Sequence, residues 1–407
     1  MRRLRLNRFR LATLSGVATL CLLALAACED PSGVGLTVID PGENDPSARS
    51  IVADSTSLST LADVTGAFAT AQGFSSFVSL AGRVDDPLFG TTTAYGFLDV
   101  LPPQSLPDGF RNRPIEQATL RLNRTYVYGD TTVATRLELR QSAEAWNAIG
   151  AEADTLFPVM DGIITSFDVA AGDSLVEVAL PAEWVMANDT TLRSTSASTL
   201  FHGFRLSPSA PASAVYGFAG ASTLELISQG DTVRYGVSEL FSGIEGPAEP
   251  PAAPELLLLQ DGTSRGLEIR FDLSEIQQSS INAVFLRVDA DTAAVEMDRP
   301  AGFARPFARQ LALYGFIEGE DPVFISSATL DEETQTFSFT STVLTGLFQD
   351  LVLDRSDLDG FALGFLPARS TLDVPPLRAS SEAGCEADAG VSCRGPRATV
   401  FLIPSDD

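Results

Sequence analysis

Thr119-Leu-Arg-Leu-Asn-Arg-Thr-Tyr-Val-Tyr128 is the stretch that decides the fold. Its apolar and polar residues alternate, which is the pattern of a half-buried β-strand with one face toward a core. Gly129-Asp130 follows as a turn signal, and residues 133–140 alternate again. The sequence therefore predicts a β-hairpin here, and with it a fold built from antiparallel strands.

Further short strand candidates flank this hairpin on both sides. They cover residues 77–84, 93–100, 174–179, 200–206, 215–218 and 223–228. Residues 181–187 are predicted to form one or two helical turns, and residues 342–351, whose apolar residues recur at helical spacing, a short helix. Many short strands with frequent Gly, Pro and Asp turns indicate an all-β chain of jelly-roll-like antiparallel β-sandwiches rather than β-α units.

The second half of the chain matches the first in outline. The matched pairs, in the same order, are 97–100 with 270–273, 115–123 with 281–289, 201–206 with 358–363 and 222–226 with 398–402. Residues 243–254 between the halves have the Pro/Ala-rich composition of a stiff linker. We therefore expect two tandem sandwiches, 51–242 and 255–407, joined by the linker 243–254. The alternative is a long loop inside one large sheet protein.

The amino-terminal residues 1–27 predict export. Five arginines precede an apolar run that ends at Leu25-Ala26-Ala27-Cys28, the pattern of a secretory signal. A Cys directly after Leu-Ala-Ala resembles the lipobox of bacterial lipoproteins. The resemblance implies a lipid anchor on Cys28 and an outer-membrane location, either surface-exposed or facing the periplasm. A plain secretory signal and a transmembrane anchor are the alternatives. Residues 28–50, rich in Pro, Gly, Asp and Ser, are predicted to form a flexible acidic tether.

The charge and the cysteine content of the chain limit the classes of partner and the cell compartment that we expect. The formal net charge is −26, and all 27 basic residues are arginine. So acidic a surface repels nucleic acid, and no nucleic-acid partner is expected. A GC-rich genome or a salty habitat explains this composition better than cation binding does. Cys385 and Cys393 are an even pair in an exported chain and predict a disulfide.

Two families share motifs with this sequence. Arg270-Phe-Asp-Leu273 followed by residues 281–286 resembles the opening of disaggregatase-related carbohydrate-binding domains, and Trp146 is similar to that family's Trp. This resemblance implies glycan binding. Residues 82–92, with Asp-Pro-Leu-Phe-Gly, resemble a signature of an uncharacterised family of surface lipoproteins, and this second resemblance covers most of the chain. It implies location and fold only.

Aromatic residues are the candidate ligand contacts. Trp146 and Trp184 could stack on sugar rings, although large aromatics also fill sandwich cores. Tyr126 and Tyr128 share a strand face and are expected to be partly exposed, so they could form a sugar platform. His202 is the only histidine and stands apart from any nucleophile motif, which favours a structural role.

Acidic pairs at Asp85-Asp86 and at Asp289 and Asp291 are interpreted as solvated turns. Residues 354–360 fail the EF-hand pattern, because Arg355 and Leu366 occupy the first and twelfth ligand positions. No cofactor or other metal is predicted, although a structural calcium ion in a sandwich loop remains an alternative.

No catalytic motif is present, so we expect a non-catalytic binding or scaffold protein rather than an enzyme. Its expected partners are the membrane, through the lipid anchor, and polysaccharide or envelope proteins. The alternatives are a glycan-processing hydrolase with an unrecognised carboxylate pair and a purely structural partner in envelope assembly.

Overall fold

The structure is a computed structural model of the full chain. It describes residues 48–52, 58–61, 77–107, 109–194, 196–210, 212–246, 256–263, 266–296, 298–317, 322–366, 371–378 and 396–403. Met1–Ala48 and Arg49–Asp407 are two compact units, and all the described residues except Ala48 belong to the second. The predicted signal, Cys28, most of the tether and the predicted Cys385–Cys393 disulfide lie outside the described residues.

Strands dominate the fold. In the first half they are β1 (Ala48–Val52), β2 (Leu58–Leu61), β3 (Val78–Asp86), β4 (Gly90–Leu101), β5 (Gln117–Asp130), β6 (Thr135–Gln141), β7 (Thr165–Val169), β8 (Leu175–Ala179), β9 (Phe204–Pro208), β10 (Ala214–Ala219), β11 (Thr223–Ser228) and β12 (Asp231–Glu245). Two helices, α1 (Ala182–Arg193) and α2 (Ala197–Leu200), precede β9.

The second half continues in the same style. Its strands are β13 (Leu256–Leu258), β14 (Gly266–Ile269), β15 (Ile281–Asp289), β16 (Phe303–Ala304), β17 (Gln310–Phe316), β18 (Val323–Asp331), β19 (Thr336–Phe339), β20 (Gly360–Gly364), β21 (Pro376–Arg378) and β22 (Arg397–Leu402). One helix, α3 (Thr342–Val352), precedes β20. The strands form large antiparallel sheets with few helices, so the predicted all-β sandwich class is confirmed.

The first sheet has the strand order β12-β11-β5-β10-β3-β4-β9-β6-β7. The strand of this order that comes last in the chain, β12, pairs with β11 through its first residues and with β4 through the rest, so the order closes on itself. Residues 243–245 of the predicted linker belong to β12.

Strand β5 forms as predicted, but its hairpin does not. Leu120 and Leu122 of β5 are fully buried, while Arg121 between them points outward. Gly129 continues the strand with φ +118°, and a Cβ there would lie 2.5 Å from the Ser213 carbonyl oxygen. β5 therefore pairs with β10 and β11, whereas β6 pairs with β7 and β9. The hairpin prediction is wrong because Gly129-Asp130 serves close backbone approach instead of a turn.

Helices α1 and α3 each pack apolar side chains against the hydrophobic core of one sheet. Trp184, Val185 and Leu192 of α1 are buried in the core of the first sheet. Leu344, Phe348 and Val352 place α3 on the core of the second, and the Ser341 hydroxyl caps it by accepting the Leu344 N–H at 3.0 Å. No helix within the described residues is long and apolar enough to cross a membrane.

The second sheet has the order β1-β22-β15-β19-β18-β17-β20-β14-β2. Both of its edges, β1 and β2, come from the start of the unit, so this sheet is not made of residues 255–407 alone. The matched segments pair alike in the two halves, since β5 pairs with β11 as β15 pairs with β22. The remaining strand orders differ, and two copies of one module stay a prediction.

The halves meet along a shared apolar cluster. Tyr128 and Ile244 from the first half pack there with Phe303 and Leu372 from the second. Strand β16 also pairs with the end of β5, where Phe303 lies opposite Asp130. Residues of both halves thus belong to one compact unit.

Candidate functional site

A groove opens beside α1, at the end of strand β6. Two backbone hydrogen bonds hold its outer wall: the Met160 N–H donates to the Gln141 carbonyl, and the Ile164 N–H to the Leu139 carbonyl, both at 2.9 Å. The residues between these bonds bulge outward, and Gly162 takes φ +94° to allow the turn. Helix α1 starts after Pro181 and forms the opposite wall.

The groove has a volume of about 330 Å³, at the small end of the roughly 300–1,000 Å³ typical of ligand pockets. Met160 and Ile163 on its rim remain 47% and 46% exposed. The buried Trp184 forms part of the lining, and its Nε1–H donates to Gln141 Oε1 at 3.0 Å. This bond fixes the indole and turns the Gln141 side chain toward it.

Polar groups complete the lining. They are Asp161 and Glu183, both exposed, and the amide of Asn188, whose Nδ2 donates to the Trp184 carbonyl at 2.9 Å. None of the described residues that line the groove is basic. A ligand here would meet apolar walls and hydrogen-bond acceptors and would be repelled if anionic.

Trp146 lies elsewhere, on the outer face of the first sheet. It is half-buried, stacks on Phe157 with ring centroids 5.3 Å apart, and donates its Nε1–H to the His202 carbonyl at 2.9 Å. Phe97 packs beneath it at 5.8 Å. These contacts make Trp146 the cover of a small apolar cluster, so its predicted sugar-stacking face is largely occupied.

The predicted tyrosine platform does not form. Tyr128 is fully buried and donates its hydroxyl to Asp86 Oδ2 at 2.7 Å. Tyr126 is half-buried, and its hydroxyl oxygen accepts the Leu372 N–H at 3.1 Å. Burial, with Asp373 nearby, raises the pKa of Tyr126 well above its usual range. The expected exposure is wrong for Tyr128, because Phe303 and Arg305 of the second half pack over it, whereas Tyr126 is partly exposed as expected.

Asp86 is likewise not solvated, although Asp85 beside it is 63% exposed, as expected. Asp86 Oδ1 and Oδ2 each accept a hydrogen bond at 2.7 Å from the Arg305 guanidinium, and neither side chain is exposed. The Leu88 and Phe89 N–H groups also donate to Asp86 Oδ1, at 2.7 and 3.2 Å. The Asp-Pro-Leu-Phe-Gly motif therefore supplies a buried bidentate ion pair that joins the halves.

A second buried acid lies at the same junction. Asp261 Oδ2 accepts hydrogen bonds from the Thr371 N–H at 3.0 Å and hydroxyl at 2.8 Å, and Oδ1 accepts the Gly262 N–H at 2.8 Å. Burial is the main reason that the pKa of Asp261 rises to about 7, and Asp373 adds to it. This carboxyl is therefore a proton-binding group of the folded protein near neutral pH.

The predicted acidic pair Asp289 and Asp291 binds arginines. Asp289 meets Arg397 at 2.7 Å and Asp291 meets Arg378 at 3.3 Å. Their interpretation as solvated turns is corrected, since all four side chains are less than 30% exposed. Over the described part of the chain, no three His, Cys, Asp or Glu residues group so as to hold a metal ion.

One carboxylate pair that the sequence could not reveal faces outward from the first sheet. Asp99 of β4 lies directly opposite Glu239 of β12. Burial, and to a lesser extent Glu239, raises the pKa of Asp99 to about 6. The Ala148 N–H donates to Glu239 Oε1 at 2.5 Å and holds that side chain in place.

Sequence reasoning singled out Trp184 but not the groove it lines. Met160 and Ile163 lie outside every predicted strand, and only their exposure in the folded chain marks them. His202 is half-buried and does not line the groove; its carbonyl accepts the Trp146 Nε1–H.

Comparisons with known proteins add no relative: no family model, no curated protein and no solved structure matches this chain.

Proposed function

We propose that this protein is a membrane-anchored, non-catalytic binding protein of the cell surface or envelope that takes a neutral glycan segment in the groove beside α1. The groove is the single observation that carries the proposal. It combines apolar rim residues with amide and carboxylate acceptors, which is what the C–H faces and hydroxyls of a sugar require, and the largely buried Trp184 forms part of its lining.

The anchor belongs to the same proposal. Cys28, after Leu-Ala-Ala, supports lipidation, and the acidic residues after it support a tether. A lipid-held protein meets immobile polymers repeatedly, so weak binding at a small groove is sufficient when several copies act together.

The test blocks the groove with a bulky side chain and measures glycan binding. The protein, expressed with its lipid Cys replaced, is applied to a glycan array, and the best neutral oligosaccharide is measured by calorimetry. Ala187 is exposed and lines the groove, so Ala187→Trp should abolish binding. Met186→Trp adds the same ring one residue away, at a side chain that is 73% exposed and outside the lining, and should bind normally. Absence of any neutral glycan signal from folded protein would overturn the proposal, as would equal loss in both variants.

Asp99 and Glu239 favour a second candidate, a glycan hydrolase. Directly opposite residues on antiparallel strands have Cβ atoms about 4.5–5.5 Å apart, and a raised pKa on one of two carboxyls is the arrangement that general acid catalysis requires. Reducing-sugar release from a polysaccharide panel that disappears in Asp99→Asn and Glu239→Gln would favour it. If the native protein releases no reducing sugar, the hydrolase candidate is excluded and only the binding proposal remains.

A further inference from the structure

Two arginines face each other on neighbouring strands of the first sheet. Arg140 of β6 lies directly opposite Arg205 of β9 in antiparallel register. Like charges in this position destabilise a sheet. The chain carries 53 acidic residues against 27 arginines. The two arginines therefore do not lie together because the protein lacks carboxylates to neutralise them.

Arg205 has no carboxylate partner among the described residues. Its Nε donates to Ser207 Oγ at 3.1 Å, and its guanidinium lies over the Tyr95 ring, 5.8 Å from the centroid. Burial and the neighbouring Arg140 charge lower the pKa of Arg205, and the charge of Glu138 offsets this only in part. The side chain is half-buried, so its outer edge is still open to solvent.

The Arg140 guanidinium also has hydrogen-bond donors beyond the one that contacts Glu138. Its Nη2 contacts Glu138 Oε2 at 3.5 Å, at the limit of a hydrogen bond, and 27% of its side chain remains exposed. A guanidinium has five N–H donors, of which this contact takes one. The two guanidinium groups thus present several donors on one face of the sheet.

Aromatic side chains border the two arginines. Strand β9 lies between β6 and β4, and Phe97 of β4 is directly opposite Arg205. Trp146 covers Phe97. Tyr95 is two residues from Phe97 on the same face and is half-buried. The Arg205 guanidinium lies over one side of the Tyr95 ring, and the Tyr95 hydroxyl donates to Glu245 Oε2 at 3.4 Å, so a planar anion held by the arginines would lie next to Tyr95 rather than on the ring face that Arg205 covers.

We propose that Arg140 and Arg205 bind the carboxylate of an acidic sugar residue whose ring lies against Tyr95. Guanidinium groups match the planar geometry of a carboxylate with two parallel hydrogen bonds, which fits this anion better than a point charge would. The site is separate from the groove, whose described lining holds acids and no base.

The test uses the whole soluble protein with ¹⁵N-labelled arginine and trigalacturonate as the probe. The Nε–Hε signal of Arg205 should shift saturably during titration. Arg205→Gln and Arg140→Gln should each weaken binding about tenfold or more, the usual effect of losing hydrogen bonds to a charged group. Arg136→Gln is the matched control, because Arg136 lies on the same face of β6 but pairs with Asp168 at 3.3 Å.

Maltotriose and sodium acetate separate the parts of the proposal. Maltotriose should cause no saturable shift, and acetate should bind far more weakly than trigalacturonate. Equal binding of acetate would overturn the sugar assignment, and equal binding of maltotriose would overturn the carboxylate assignment. No saturable shift with trigalacturonate, or an equal effect of Arg136→Gln, would overturn the site. Ala187→Trp should leave this binding intact, so failure here is distinct from failure of the groove.

Discussion

Replacing Arg305 with Met should destabilise the protein by about 3–5 kcal/mol, the cost of removing one partner from a buried ion pair. Asp86 and Arg305 have fully buried side chains joined by two 2.7 Å hydrogen bonds. The variant keeps the volume of the aliphatic stem but leaves the Asp86 carboxylate without its counter-charge. The Tyr128 hydroxyl and two backbone N–H groups still donate to Asp86, but neutral donors do not replace a cation.

Urea unfolding at pH 7, followed by circular dichroism, measures the effect as a change in the free energy of unfolding. Arg309→Met is the control, because Arg309 and its partner Glu332 are 70% and 66% exposed, and exposed pairs contribute about 0–1 kcal/mol. Asp86→Asn combined with Arg305→Met should cost less than the sum of the single changes, since the double variant leaves no unpaired charge. A loss of less than about 1 kcal/mol in Arg305→Met, equal to that of the control, would refute the reasoning.

Three further outcomes are expected. Because the folded-state pKa of Asp261 is raised to about 7 from an ordinary 3.8, its contribution to stability is full below pH 4 and lost as pH rises through 7. Asp261→Asn should abolish this change in the free energy of unfolding, up to about 4 kcal/mol in total, as measured by melting at a series of pH values. Ser341→Ala should cost about 1 kcal/mol by removing the α3 cap, and unchanged urea unfolding would contradict this. Cys28→Ala should move the protein from the membrane fraction to the soluble fraction, and continued membrane association would rule out the lipid anchor.

Local periodicity predicted the strands well where one face is buried. β5 and β11 alternate as their sequences indicate, and α3 spans almost the residues that the helical spacing marks. Alternation reveals which face of a strand is buried but carries no information about its partner. The hairpin error at Gly129 has this origin, since a turn and a close backbone approach both favour glycine.

Exposure in the candidate sites depends on contacts between segments remote in sequence. Tyr128 is buried because Phe303 and Arg305 reach it from the second half, and nothing near Tyr128 in sequence signals that. The exposure of Met160 and Ile163 depends on two backbone hydrogen bonds to β6. The pairing of Arg140 with Arg205 needs the strand register, which lies beyond any single-sequence pattern.

Strands β1 and β2 have a consequence for the order in which the protein folds. They are the first strands along the described part of the chain, yet β1 lies beside β22, at the opposite end of the sequence, and β2 beside β14. The second sheet cannot be completed until β22 has been synthesised, so β1 stays without its partner strand until then, whereas β2 can pair once β14 is present. Pairing over such sequence distances is slow, and unpaired strand edges invite association with other chains. Any carboxy-terminal truncation that removes β22 would therefore also leave β1 without its partner strand. A deletion at one end of the chain would thus destabilise the edge strand formed by the other end.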